Sequence, residues 1–283
     1  MDKQKIEWMT RVVESKFSDV QSYDKQNGYV FFPRNRLDEK GYADSTEILT
    51  HFCLINNSIP KDNQTFITNP LSISIIAMQS NLVGANKSRK MKKISGSLKR
   101  LSNDGVIKIK WFGKEWDNNS MFIAIQKRKD KENLIPVKSD VWYKIFFNNN
   151  YSDLERENCL SVFISFSSML VLINKPKEVY QRGYSSFFEM KKAIGWETLE
   201  NIGDRINISR KKVSEYMDKL VDIKVLSYLR VKFNNLSYSS TMYSRYEDRY
   251  VLKSFASLCI EDNLPNSKDY GDYSYLRISD VYE

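Results

Sequence analysis

Two stretches of this 283-residue chain gather residues able to act on a polyanion. In "SRKMKKISGSLKR", Ser88, Arg89, Lys90, Lys92, Lys93, Ser95 and Lys99 surround an apolar stripe of Ile94, Leu98 and Leu101 at helical spacing. In "ISRKKVSEYMDKL", Ser209, Arg210, Lys211, Lys212, Ser214, Glu215 and Lys219 surround Val213, Met217 and Leu220. Cations on one face of a helix displace counterions from phosphates, the N–H groups of its first turn favour anions, and its N-terminal side chains can reach base edges in the DNA major groove. The first face is all base and small residue, which predicts affinity. In the second, Glu215 and Asp218 interrupt the bases, and a carboxylate can accept from a cytosine amino group, which predicts selectivity. Gly96 either permits close backbone approach or is an ordinary helix defect; both readings stay open. Lys110 and Lys114, with Lys108, follow the first stretch and either track phosphates or alternate outward from a half-buried hairpin.

These side chains need a sharp turn before each helix and a hairpin after it. Ser209 is expected to cap its helix while Ile208 staples onto Val213. In chain order, an amphipathic helix over Ile6–Phe17 precedes the extended "YVFFP". A helix then starts at Asp44, with Glu47 completing a capping box and Ile48, Leu49, Phe52, Cys53 and Ile55 as its buried stripe. "QTFIT" reads as a short strand, Asn69-Pro70 as N-cap and first helical residue of a helix to Gln79, and Asn103, Asp104 and Gly105 as the end of the first basic helix. "VIKIKWF" and "MFIAIQ" make a hairpin. Helix, strand, helix, helix, hairpin is the order of a winged helix.

The plan recurs: "LIP" at 134–136 echoes the extended lead-in, Leu160–Ile173 reads as a first helix, and a returning strand is expected near Tyr246–Leu252. Ile94, Leu98, Leu101 and Val106 each stand 119 residues ahead of Val213, Met217, Leu220 and Val225. The expected fold is α+β and helix-rich, with two tandem winged-helix domains. Residues 1–130 form the first with its leading helix, 131–260 the second, and 261–283 an acidic, Tyr-rich tail. The boundary falls at "KRKDKEN" (127–133).

Charge follows this plan. Residues 84–132 hold fourteen Lys or Arg against five acids, an excess equal to the net +9 of the whole chain. The tail has six acids against two bases and reads as a non-DNA element, either a partner contact through Tyr270, Tyr273, Tyr275 and Tyr282 or a solvated terminus.

Other chemistry lacks its residues. Cys53, Cys159 and Cys259 are widely spaced, and are expected to be reduced and half-buried. His51 is the only histidine, on the margin of an apolar stripe, which disfavours a catalytic triad or a histidine-based metal site. "GANKS" at 84–88 ends like a phosphate loop but lacks the earlier glycine, and no trio of carboxylates stands out. Neither a signal peptide nor a membrane span is indicated. No catalytic residue, cofactor or metal is expected, and the localisation expected is cytoplasmic.

"YVFFPRNRL", the helix containing "STEILTHFCLI", and "MKKISGSLKRLSNDGVIKI" together resemble the winged-helix replication initiators of plasmids and phages from low-GC bacteria. Residues 30–112 carry the likeness, and "ISRKKVSEYMDKLVDIKVL" repeats its last part. It is similar to their extended-Pro lead-in, first helix and "TVxxxLKxLEExGLI" pattern. Lys224 departs from it, standing where the pattern has Gly. The resemblance implies binding of double-stranded DNA repeats at an origin and recruitment of host helicase-loading or replisome proteins. A homodimer remains open. A transcriptional regulator at a promoter operator and a protein-binding scaffold are the alternatives.

Overall fold

The computed structural model describes residues 29–34, 36–37, 41–62, 65–80, 87–127, 134–170, 193–195, 199–233, 240–260 and 278–282. The expected Ile6–Phe17 helix, Gly84, most of the "KRKDKEN" segment and the tail tyrosines other than Tyr282 lie outside them. The fold is mixed α+β, with eight helices and small sheets among the described residues. The chain divides into two units. One comprises Met1–Pro33, Ala43–Glu132 and Pro136–Asp153; the other comprises Arg34–Tyr42, Asn133–Ile135 and Leu154–Glu283.

The first unit runs β1 (Tyr29–Pro33), α1 (Ser45–Asn56), β2 (Ser58–Pro60), β3 (Thr65–Thr68), α2 (Ile73–Gln79), α3 (Lys87–Asn103), β4 (Lys108–Trp111) and β5 (Phe122–Lys127). β6 (Leu134–Lys138) then leads into α4 (Ser139–Phe146). An antiparallel sheet in the order β2-β3-β5-β4 stands beside the helices. The start of α1 matches its sequence: Asp44 Oδ1 accepts from Glu47 N at 2.9 Å. The Glu47 carboxylate reaches back one residue further than a capping box requires, to Ala43 N at 3.1 Å.

α1 is buried from Ser45 to Ile55 rather than along one stripe. Phe52 stacks on Trp142 of α4 at 5.0 Å. Thr50 Oγ1 donates to Thr46 O, and His51 Nε2 lies 3.1 Å from Gln126 Nε2 on β5. His51 is therefore an interior residue, fully buried beside Phe32.

α2 begins later than Asn69-Pro70 suggests. Leu71 exchanges both backbone hydrogen bonds with Phe122 of β5, at 2.9 and 2.7 Å, so 69–71 cannot enter a helix. Ser72 becomes the N-cap, accepting from Ile75 N at 3.2 Å. Ile73 and Ile76 of α2 pack with Ile94, Leu98 and Leu101 of α3, all fully buried.

The second unit runs α5 (Asp153–Met169), α6 (Leu199–Asp204), α7 (Arg210–Asp222), β7 (Leu226–Phe233), β8 (Ser240–Arg245), a 3₁₀ turn (Tyr246–Asp248), α8 (Arg249–Ile260) and β9 (Ile278–Tyr282). α5 starts ahead of the apolar run at Leu160 because Arg156 and Glu157 are themselves buried. Two of its interior serines bond backbone: Ser161 Oγ donates to Glu157 O at 2.9 Å and Ser165 Oγ to Ile202 O at 2.9 Å.

The returning strand is β8, not Tyr246–Leu252. There the chain turns into α8, whose Val251, Leu252, Phe255, Ala256 and Cys259 are buried at helical spacing. The last residues are not a free terminus: β9 pairs antiparallel with β7, completing the sheet β8-β7-β9 with Val231 opposite Val281 and Lys232 opposite Asp280. The three cysteines are fully rather than half buried, and burial pushes each thiol up to about 12. Among the described residues no helix is long and apolar enough to cross a membrane.

Candidate nucleic-acid interface

α3 is amphipathic in the strict sense: Ile94, Ser97, Leu98 and Leu101 are buried, and its cations face elsewhere. Ser88, Arg89, Lys92, Lys93 and Lys99 are exposed, and Ser95 and Gly96 are half-buried. Lys90 leaves the array, its Nζ lying 3.5 Å from Asp153 Oδ2 with the side chain 15% exposed. Arg100 turns back onto α1, with Nε 2.9 Å from Glu47 Oε2 and Nη2 3.4 Å from Asp44 Oδ2. Among the described residues, a Cβ on Gly96 would meet only Arg100 Nη1, at 3.6 Å, which is ordinary contact.

α7 is presented by a tight turn. Gly203 O accepts from Ile206 N at 3.1 Å and Ile208 N at 3.0 Å, and Asn207 takes a left-handed φ of 55°. A Cβ on Gly203 would collide with the carbonyl oxygen of Ile208, so only glycine fits there. Ser209 occupies the N-cap but its side chain makes no capping bond, contrary to expectation; its extended backbone and the Gly203 carbonyl hold the turn instead. The sequence reading missed Gly203 and Asn207. The signal was present, because Gly203 stands 119 residues after Gly84, in register with the core repeat.

Beyond the turn, Arg210, Lys211 and Lys212 are exposed and Ser214 is half-buried. Lys212 Nζ bonds Glu215 Oε2 at 2.6 Å. That hydrogen bond raises the lysine's pKa and lowers the carboxyl's. Lys219, a predicted contact, instead bonds Glu155 Oε1 of α5 at 2.8 Å, which raises its pKa. Register by register, Lys92, Lys93 and Ser95 correspond to Lys211, Lys212 and Ser214, the lysines exposed and the serines half-buried in both. Arg100 and Lys219 correspond as cations bound to an acid of their own unit's α1 or α5.

The strands after each basic helix differ. In the first unit Lys108 and Lys110 alternate outward on β4 and Lys114 is exposed in the turn. That turn is closely built. Asp117 Oδ1 accepts from Asn119 N and Ser120 N, both at 3.1 Å, Trp116 packs against Trp111 at 5.3 Å, and Lys99 Nζ of α3 lies 4.8 Å above the Trp116 ring. In the second unit Arg230 and Tyr228 are exposed on β7, with the guanidinium 5.9 Å from the ring centroid. Arg230 was missed by the sequence reading, although its period-two spacing from Tyr228 marked it. Tyr243, by contrast, packs against Phe166 at 6.3 Å, and burial pushes its hydroxyl up to about 12.

Exposed cations beside a helix N-terminus and a neighbouring strand can contact phosphates, while Ser95, Ser214 and Glu215 supply hydrogen-bonding groups of the kind that read base edges. No cluster of three His, Cys, Asp or Glu side chains suited to a metal ion occurs among the described residues. Compared with protein-family models, with curated proteins and with solved structures, the chain matches none.

Proposed function

We propose that the chain is a sequence-specific duplex-DNA-binding protein with two tandem winged-helix heads, in which α3 and α7 are the recognition helices and the β4–β5 and β7–β8 hairpins are the wings. The observation that carries this is the doubled arrangement itself. Exposed Lys92 and Lys93 with half-buried Ser95, and exposed Lys211 and Lys212 with half-buried Ser214, recur in one register, in the second turn of α3 and the first turn of α7, on helices whose opposite faces are buried. A protein-binding scaffold has no need to repeat an exposed lysine pair in one register on two helices, whereas phosphate contact does.

On the resemblance carried by residues 30–112, the DNA is the origin of a plasmid or phage and the protein its replication initiator. Titrating binding to duplex against salt tests the first step: several phosphate contacts give a slope of log affinity against log salt of about −0.9 per phosphate. A flat response at low salt rejects it. Mapping bound sites on the plasmid and host genome tests the second, since promoter sites with no occupied origin would make the protein a transcriptional regulator.

A further inference from the structure

Phe112 is 58% exposed just past the end of β4, its ring left in solvent beside the hairpin turn. Its place is fixed by the backbone. Phe112 N donates to Met121 O at 2.8 Å, extending the hairpin by one pair. Strand alternation sends Trp111 inward, where it packs against Phe122 at 4.9 Å and Trp116 at 5.3 Å, and sends Phe112 outward.

The second half of the turn beyond is anchored. Asp117 ties its own loop, Ser74 N donates to Asn118 O at 3.0 Å, and Ser74 Oγ donates to Asn119 Oδ1 at 2.9 Å. The ring therefore stands on a braced support rather than a loose loop. Its surroundings are cationic: Lys110 and Lys114, two residues to either side, are exposed, and the turn reaches α3 through Trp116 and Lys99.

We infer that Phe112 is a wedge that enters between base pairs of duplex DNA when α3 engages it, unstacking one step and unwinding the helix locally. The inference rests on the DNA-binding reading of α3. An isolated exposed aromatic side chain has many explanations, but this one is rigidly held and flanked by lysines beside a basic helix. Lysines on both sides hold the phosphates of the two strands while an apolar ring takes the place of one base's stacking neighbour, which suits flexible pyrimidine–purine steps. An acidic protein partner would use the lysines but gives no reason for an exposed ring between them on the last rung of the hairpin.

The test uses the full-length protein and closed circular plasmid DNA relaxed by topoisomerase in its presence, with bound protein counted in parallel. Permanganate reactivity of thymines reports unstacked steps. The wild type should shift the linking number and expose thymines. Phe112→Ser should lose about half or more of both effects per bound molecule while duplex affinity at low salt falls less than about fivefold, because phosphate contacts carry it. Phe112→Trp should restore them. Equal unwinding by wild type and Phe112→Ser, or none by either while both bind, overturns the wedge and leaves the DNA reading intact. Absence of duplex binding by the wild type overturns both. Unchanged circular dichroism and melting of Phe112→Ser would show that the exposed ring is not needed for folding.

Discussion

Lys224 occupies in the second unit the left-handed backbone position that Gly105 occupies in the first, with φ of 56° against 73°. The same bond closes both helix ends: Val106 N to Leu101 O at 3.0 Å, and Val225 N to Leu220 O at 2.9 Å. A side chain at such a position crowds its own backbone. Lys224→Gly should therefore stabilise the protein by about 1 kcal/mol in urea unfolding, and Gly105→Ala should destabilise it by a similar amount. A lower midpoint for Lys224→Gly would mean that the lysine side chain contributes more than its backbone strain takes away.

Gly203 and Gly96 are both helical glycines, and they should respond oppositely to a methyl group. At Gly203 the Cβ meets a backbone carbonyl, which cannot swing aside, and comes within 3.2 Å of Val213 Cγ2. Gly203→Ala should cost about 2 kcal/mol or more and lower the melting temperature. At Gly96, among the described residues, only the end of the Arg100 side chain is near, at 3.6 Å, so Gly96→Ala should be neutral or stabilising by up to about 1 kcal/mol. Loss of DNA affinity by Gly96→Ala with unchanged stability would restore the glycine's role in close approach to a ligand.

Cations on the same helix should divide by what they already hold. Lys92 and Lys93 are exposed, whereas Arg100 bonds Glu47, whose side chain is 1% exposed. Substituting Lys92 and Lys93 by Ala should make the salt slope shallower by roughly 0.9 for each phosphate no longer engaged, with little change in stability. Arg100→Ala should remove the cationic partner of a buried carboxylate that keeps its bond from Ala43 N, and lower stability by about 1–2 kcal/mol. A salt slope that responds to Arg100 as strongly as to Lys92 would reassign it to the interface.

What the sequence made legible was mainly local. The apolar spacing of Ile94, Leu98 and Leu101 and its 119-residue echo placed α3 and α7, because a helix stripe depends on neighbours a turn apart. The misreadings came from long-range choices. Asn69-Pro70 is a good helix start by itself, but Leu71 is claimed by Phe122, fifty-one residues away in sequence. Arg156 and Glu157 look like surface residues yet are buried, so α5 appeared to start too late. The acidic composition of 261–283 hid a strand at Ile278–Tyr282. Within the candidate site, the bond from Lys219 to Glu155 was not legible, because Glu155 lies sixty-four residues earlier in the chain.

Glu215 neutralises part of the α7 charge. At neutral pH its carboxylate holds Lys212 at 2.6 Å, and this bond keeps the carboxyl's pKa lowered. A lowered pKa means the pair persists above the ordinary carboxylate range and is lost as pH falls through the folded value. Glu215→Gln at neutral pH should therefore release Lys212 to phosphate, raising affinity for unrelated duplexes and steepening the salt slope by about 0.9. If Glu215 also reads a base, preference for the mapped site should fall at the same time. Acidification should bring wild-type affinity toward that of the variant, because a protonated Glu215 and the neutral amide that replaces it both leave Lys212 uncompensated. Binding curves for wild type and Glu215→Gln that remain parallel across pH would separate the ion pair from recognition and leave Glu215 as a surface partner of Lys212 alone.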